Sequence, residues 1–158
     1  MRRCRTAFFA ALLLAVPAAA FAAAPSGGMQ LPPQPKVRPA GMPADAVMVS
    51  PCVASMGEHW IDMKNAPLGP IYGTYKGKVV FTEIMPTLKQ LQQGFSYANI
   101  RALPGYTINH IDVAFEPKGH EGLMVPHYDI HAYYITRAEQ MKICPKGIPD
   151  PAMPPMNY

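Results

Sequence analysis

The sequence predicts an α+β protein that is mainly antiparallel β, a sheet or partial barrel with one or two short helices. Short runs rich in β-branched and aromatic residues alternate with turn-forming residues, which is typical of strands joined by tight turns. The chain of 158 residues contains 19 prolines and 12 glycines, which favours many connections over long helices. A pattern that starts a helix is clearest in one short segment, directly after Pro86.

Residues 1–22 have the features of a secretory signal peptide. Basic residues come first, an apolar stretch follows, and Ala20-Phe21-Ala22 provides a small-x-small cleavage site. The apolar stretch is shorter than the roughly 20 residues that cross a bilayer, so an uncleaved anchor is the less favoured alternative. We therefore expect a secreted, periplasmic protein with no transmembrane segment in the mature chain.

The rest of the chain divides by composition into three parts. Residues 23–51 are rich in proline and lack any regular period, which predicts an extended arm. Residues 145–158 form a tail of the same character, rich in proline and methionine. A β-rich core domain is expected between them, over residues 52–144.

Net charge excludes one class of partner. The whole chain has 14 basic and 10 acidic residues, but Arg2, Arg3 and Arg5 lie in the leader, so 11 basic residues remain and the mature charge is about +1. A nucleic-acid surface needs clustered basic residues. We therefore expect no nucleic-acid partner.

Cys52 and Cys144 are the two cysteines left after the leader is removed. An even pair in an oxidising compartment predicts a disulfide. The alternative is a pair of thiolate metal ligands, which the wide spacing and the lack of a Cys-x-x-Cys motif disfavour.

The core begins with two local patterns. Residues 70–75 and 78–85 are strand-like and flank Lys76-Gly77, which predicts a hairpin. Pro86 suits the first position of a helix that Gly94 would end, with Leu88 and Leu91 facing inward.

Residues 106–116 and 126–135 are predicted to form an antiparallel pair joined by a long loop. Side chains alternate between the faces of a strand. The apolar face would hold Ile111, Val113, Phe115, Tyr128, Ile130 and Tyr134. The opposite face would hold His110, Asp112, Glu116, His127, Asp129 and His131.

A register in which paired residue numbers sum to 241 places His110 opposite His131 and Asp112 opposite Asp129. Two opposed carboxylates repel each other, and a cation or a shared proton would relieve the repulsion. His127 and His131 would be about 13 Å apart along a strand, so one ion cannot take both without a bulge. We therefore expect His131 and Asp129 to act with His110 or Asp112, and His127 to lie with the loop of His120 and Glu121.

Two further residues are candidates. His59 lies in Met56-Gly57-Glu58-His59-Trp60, and Glu83 falls on an otherwise apolar strand face. A carboxylate there needs a partner, which could be a metal, a histidine, Arg101 or a lysine. The candidate metal ligands are therefore His59, Glu83, His110, His127, Asp129 and His131.

Mixed imidazole and carboxylate ligands suit a divalent transition metal (Zn, Mn, Fe, Ni or Cu) better than Ca or Mg. An ion with an open position would activate water, whereas a saturated site would store or sense the ion, and the sequence leaves both open. Copper handling through histidine and methionine is a third hypothesis, since Met153 and Met156 extend a set of ten methionines that remain after Met1. No serine-hydrolase elbow, phosphate loop or dinucleotide fingerprint is present in the sequence.

A second class of function is a non-catalytic protein that binds a small apolar ligand or an assembly partner. The histidines would then form a structural hydrogen-bond network, and a homo-oligomer is compatible with this hypothesis. The pocket would be lined by Tyr72, Tyr75, Phe81, Tyr106 and Tyr133.

Four segments carry a resemblance to a known family: 56–60 (MGEHW), 69–73 (GPIYG), 119–122 (GHEG) and 126–131 (PHYDIH). Over about residues 50–144 the chain resembles a family of small secreted bacterial proteins of unknown function, typified by an extracytoplasmic Thermus protein under sigma-E control. The resemblance implies an exported, β-rich protein. The chain is also loosely similar to cupins, whose barrel strands hold a metal through His-x-His, whereas here three residues separate His127 from His131.

Overall fold

The computed structural model describes residues 31–98 and 100–149, so the predicted signal peptide and most of the predicted tail lie outside it. The described residues form six strands and two short helices. These are β1 Ala46–Val53, β2 Gly57–Asp62, β3 Ile71–Tyr75, β4 Lys78–Ile84, α1 Leu88–Gln92, β5 His110–Glu116, β6 His127–Tyr133 and α2 Arg137–Gln140. The strands form one open antiparallel sheet in the order β1-β2-β3-β4-β6-β5. The predicted fold class is confirmed.

The hairpin of β3 and β4 forms where the sequence predicts it. Tyr75 pairs with Lys78, and the two turn residues, Lys76 and Gly77, have φ values of 51° and 74°. Positive φ at both central positions matches the right-handed twist of the strands, and glycine adopts this conformation at little cost. The turn is therefore encoded locally.

The pair of β5 and β6 is antiparallel as predicted, but the predicted register is wrong by two residues. Asp112 pairs with His131, and His110 pairs with Tyr133. The opposed pairs expected from a sum of 241 do not form. The connecting loop is long enough to allow several registers, so the spacing of the two strands does not fix the pairing.

The prediction of which face is buried is also wrong for these two strands. The face with His127, Asp129 and His131 points inward, and these residues are 0%, 4% and 6% exposed. On β5 the exposed side chains are those of the predicted apolar core face, with exposed fractions of 59%, 62% and 43% for Ile111, Val113 and Phe115.

Residues from two other segments are buried with the inner face. Leu123, from the loop before β6, packs with Ile61, Ile71 and Met85. Ile143, which follows α2, packs with Phe81 and other core residues. These distant apolar residues exclude water from the polar strand face, and alternation within β5 and β6 does not reveal them.

The predicted helix after Pro86 is confirmed as α1, but its leucines do not form core. Thr87 caps the helix and makes a reciprocal capping box with Gln90. No residue of α1 is buried, and Leu91 is exposed. The helix is only five residues long, and the backbone N–H of Leu88 anchors its start to the carbonyl of Pro126.

The sheet begins at Ala46, inside the region predicted as an extended arm. Residues before β1 also contact it, since the Gln34 side chain accepts from the Met48 N–H and donates to the Met48 carbonyl. Arg38 donates to the carbonyls of Pro43 and Ala46. The structured part of the chain therefore starts earlier than composition indicates.

Cys52 and Cys144 lie at disulfide distance, with Cα atoms 6.0 Å apart, as predicted. The pairing joins β1 to the segment after α2, across 92 residues of chain. Within residues 31–98 and 100–149, no helix is long and apolar enough to cross a membrane.

Candidate metal centre

Six histidine and carboxylate side chains gather in two groups. We call His120, His127 and Asp129 the loop triad, and His59, Glu83 and His131 the sheet triad. Within each triad, one potential ligand atom from each residue lies within 4.8 Å of the others. These atom types are the ones that bind transition metals in proteins.

Strand geometry explains how the triads form. His127, Asp129 and His131 are alternate residues of β6 and so share its buried face. Glu83 of β4 pairs directly with His131. His127 and His131 are four residues apart on β6, and they lie in different triads. This agrees with the prediction that one ion cannot bind both of them without a bulge.

His59 reaches the sheet triad across a position that carries no side chain. It pairs with Gly73, which pairs in turn with Phe81 of β4. The Phe81 ring lies over Gly73, because a Cβ added there would fall 2.0 Å from a ring carbon. The ring centroids of His59 and Phe81 are 5.5 Å apart, so Phe81 supports the imidazole at its edge.

A tight turn positions His120. Gly119 has a φ of 70°, and a Cβ there would fall 2.3 Å from the Leu123 carbonyl oxygen. The backbones of His120 and Leu123 form a bridge, which brings the His120 side chain back toward β6. Glycine is therefore required beside this histidine.

Backbone carbonyls orient both imidazoles of the loop triad. His127 Nδ1 lies 2.7 Å from the Val125 carbonyl oxygen, and His120 Nδ1 lies 2.9 Å from that of Glu121. A carbonyl only accepts, so each Nδ1 carries the proton and the Nε2 of a neutral ring presents a lone pair. This arrangement is the one that orients histidine ligands in metal sites.

The Nε2 atoms converge on each other and on a carboxylate. The two Nε2 atoms are 3.1 Å apart, and the Asp129 oxygens lie 3.0 Å from His127 Nε2 and 3.3 Å from His120 Nε2. Asp129 Oδ1 is buried, and its contact with His127 lacks hydrogen-bond geometry. Three acceptors at these distances require a proton or a cation between them.

In the metal-free protein a proton on His120 fills this role. The hydrogen bond to Asp129 raises the pKa of His120 to about 9, so the ring is charged at neutral pH. Burial alone would raise the pKa of Asp129, but the hydrogen bond and charge of His120 outweigh it and lower that pKa. A bound cation would replace the proton.

The sheet triad holds neutral imidazoles. Burial lowers the pKa of His59 to about 3 and that of His131 to about 4. His131 Nε2 is buried, lacks a hydrogen-bond partner and lies 3.4 Å from Glu83 Oε1. Neutral imidazole is the form that binds a metal ion.

The distances in the loop triad suit a small ion. For ligands about 2.1 Å from a tetrahedral metal, ligand atoms are separated by roughly 3.4 Å. The two Nε2 atoms are 3.1 Å apart, His127 Nε2 lies 3.0 Å from Asp129 Oδ1, and His120 Nε2 lies 3.3 Å from Asp129 Oδ2. Three protein ligands leave a fourth position open to water or substrate.

The structure brings together five of the six candidate residues predicted from the sequence. His110 lies apart from both triads, since its ring stacks on Tyr133 and its Nε2 contacts Gln140 Oε1 at 2.9 Å. Asp112 pairs with Arg137 at 2.9 Å. The alternative ligand set that used His110 or Asp112 is therefore not assembled.

His120 is the site residue absent from the predicted ligand set. The sequence does predict that His127 lies with the loop of His120 and Glu121, and the imidazoles of His120 and His127 are in contact. That prediction is the feature of the sequence that could have identified His120 as a site residue. A histidine on a loop has no periodicity that shows where it points.

Together, the fold and the site define a small protein built on an open antiparallel sheet, with a buried histidine–carboxylate centre on one face. Among solved structures, the chain is similar to the hypothetical protein TTHB210 from Thermus thermophilus. The two share 23% sequence identity with a TM-score of 0.53, over 65% of this chain and 95% of that one. At this identity the likeness shows the fold, in line with the predicted resemblance to a Thermus protein. No protein-family model and no curated protein matches the chain.

The likeness to cupins does not extend to the architecture. Cupins are closed barrels, whereas the six strands described here form an open sheet with β1 and β5 at its edges.

Proposed function

We propose that this chain is an exported protein that binds a divalent transition metal ion at the loop triad. The observation that carries the proposal is the convergence of His120 Nε2, His127 Nε2 and the Asp129 carboxylate within 3.0 to 3.3 Å. Both imidazoles are oriented through Nδ1 by backbone carbonyls. The site is thus preorganised for a ligand that accepts lone pairs.

The donor set limits the class of ion. Two imidazoles and one carboxylate favour Zn, Mn, Fe, Ni or Cu over Ca or Mg, which prefer oxygen ligands. The ion would supply a Lewis acid at the open position. The residues of this chain would hold the ion, keep one side of it dry and orient the imidazoles.

Export is supported by two features. The N-terminal 22 residues carry a signal-peptide pattern, and the Cys52–Cys144 pair suits an oxidising compartment. The methionine-based copper site stays a prediction, since Met153 and Met156 lie outside the described residues.

A second candidate function, binding of a small apolar ligand, is supported by a cavity of about 250 Å³ beside the other face of β3 and β4. Of the aromatic residues predicted to line such a pocket, Tyr72 does so. Phe81 and Tyr133 belong to the core cluster on the triad side of the sheet.

The test is elemental analysis of the untagged mature protein, with His120→Asn and Asp129→Asn as site variants. His110→Asn is the matched control, because it removes an imidazole outside both triads. We expect the wild type and the control to contain the same amount of bound metal, and both site variants to contain less. A wild type that is metal-free and fails to bind added Zn, Mn, Fe, Ni or Cu would overturn the proposal.

A further inference from the structure

We infer that the sheet triad is a second ion site, so that the two triads form a two-metal centre on one face of the sheet. This inference rests on the proposed function of the loop triad and extends it. The two triads share no residue, and each supplies two imidazoles and one carboxylate. Each donor set is therefore complete enough for an ion of its own.

One ion cannot use both donor sets. His127 and His131 lie four residues apart on the same face of β6, and four residues of β-strand span about 13 Å. Each of these histidines instead contacts a carboxylate of its own triad, Asp129 at 3.0 Å and Glu83 at 3.4 Å. The strand thus separates two centres while holding both on its buried face.

The two centres are nevertheless neighbours. Asp129 and His131 are alternate residues of β6, about 7 Å apart along the strand. Two ions held in this way would be neighbours on one face of the sheet.

Buried negative charge favours two cations. Glu83 and Asp129 are each 4% exposed, and each belongs to one triad. A buried carboxylate is stabilised by positive charge close by. Two divalent ions would place one such charge beside each of these carboxylates.

The two sites differ in access to solvent. The His120 side chain is 26% exposed and lies on a loop, whereas those of Glu83 and His131 are 4% and 8% exposed on central strands. Loops open more readily than core strands. The loop-triad ion should therefore exchange faster than the sheet-triad ion.

The test is metal stoichiometry of the full mature chain, stripped with chelator and equilibrated by dialysis against Zn²⁺. We expect two ions per chain for the wild type and for His110→Asn, and one ion for Glu83→Gln and for His120→Asn. Chelator should remove the two wild-type ions in two kinetic phases. In His120→Asn the fast phase should be lost.

The outcomes separate the two proposals. A wild type that saturates at one ion, lost in His120→Asn but kept in Glu83→Gln, overturns the second site and leaves the proposed function standing. A wild type that binds no ion overturns both. Two ions that persist in Glu83→Gln also overturn the inference, because the second ion would then lie elsewhere. The wild-type count does not depend on whether the variants fold, and circular dichroism checks the variants.

Discussion

At the scale of single residues, the tautomers of His120 and His127 give the site its character. Each Nδ1–H donates to a backbone carbonyl, that of Glu121 for His120 and that of Val125 for His127. Both Nε2 atoms therefore point at Asp129. A structural hydrogen-bond network would pair each acceptor with a donor. Here the acceptors outnumber the donors unless His120 takes an extra proton, and a metal ion can replace that proton.

The buried histidines predict acid sensitivity. The pKa of His131 in the folded chain is about 4, whereas an unfolded histidine titrates near 6.5. Between these values the unfolded state binds more protons, so stability is present above pH 6.5 and is lost as the pH falls toward 4. His59, with a pKa of about 3, acts in the same direction. Each histidine lowers the free energy of unfolding by at most about 1.4 kcal/mol for each unit by which the pH falls.

Urea unfolding of the metal-free protein at several pH values measures this effect. We expect the free energy of unfolding to fall from pH 6.5 to pH 4, and to fall less steeply in His131→Gln. His110 provides the matched control, because His110→Gln removes an imidazole that lies outside both triads and should leave the fall in stability close to that of the wild type. A free energy that stays flat over this range in the wild type would contradict the burial of neutral histidines.

At the scale of elements, the sequence predicts correctly the features that adjacent residues determine, but not those that depend on distant parts of the chain. The β3–β4 hairpin follows from Lys76-Gly77, because two adjacent residues determine the turn. The register of β5 and β6 depends on a long loop, and their buried face depends on Leu123 and Ile143 elsewhere in the chain. Alternation thus identified which residues share a face, but it could not say which face is covered.

The contact of Gly73 with Phe81 is an element-scale prediction. A methyl group at Gly73 would collide with the Phe81 ring, so Gly73→Ala should displace the ring that supports His59. We expect a loss of about 1–3 kcal/mol in the free energy of unfolding, typical of overpacking. Denaturant titration measures it. In a Phe81→Leu background the same substitution should cost less, and an equal cost in both backgrounds would contradict the assigned contact.

At the scale of the whole molecule, the Cys52–Cys144 pair joins the first strand to the segment that follows α2. Closing a loop of this length, with a separation of 92 residues, reduces the entropy of the unfolded chain. The chain-entropy model gives an upper value of roughly 4–5 kcal/mol. We expect Cys52→Ala/Cys144→Ala to unfold at a clearly lower denaturant concentration than the oxidised wild type. Equal midpoints for the two proteins would contradict a stabilising disulfide.

The site as a whole is only partly predictable from the sequence, because alternation along a strand reveals which residues share a face but does not locate residues on loops. Alternation placed His127, Asp129 and His131 together, and Glu83 was identified as a carboxylate on an apolar strand face. His120 joins them through a loop turn that requires Gly119, and such a turn leaves no periodic signal.

The measurement that tests the central claim most directly is X-ray absorption spectroscopy of the zinc-loaded mature protein. We predict a first shell of nitrogen and oxygen ligands at about 2.0–2.1 Å, with the outer-shell scattering of imidazole rings. That imidazole scattering should weaken in His120→Asn and stay unchanged in His110→Asn. A first shell without imidazole ligands in the wild type would contradict the claim that this face of the sheet is a metal centre.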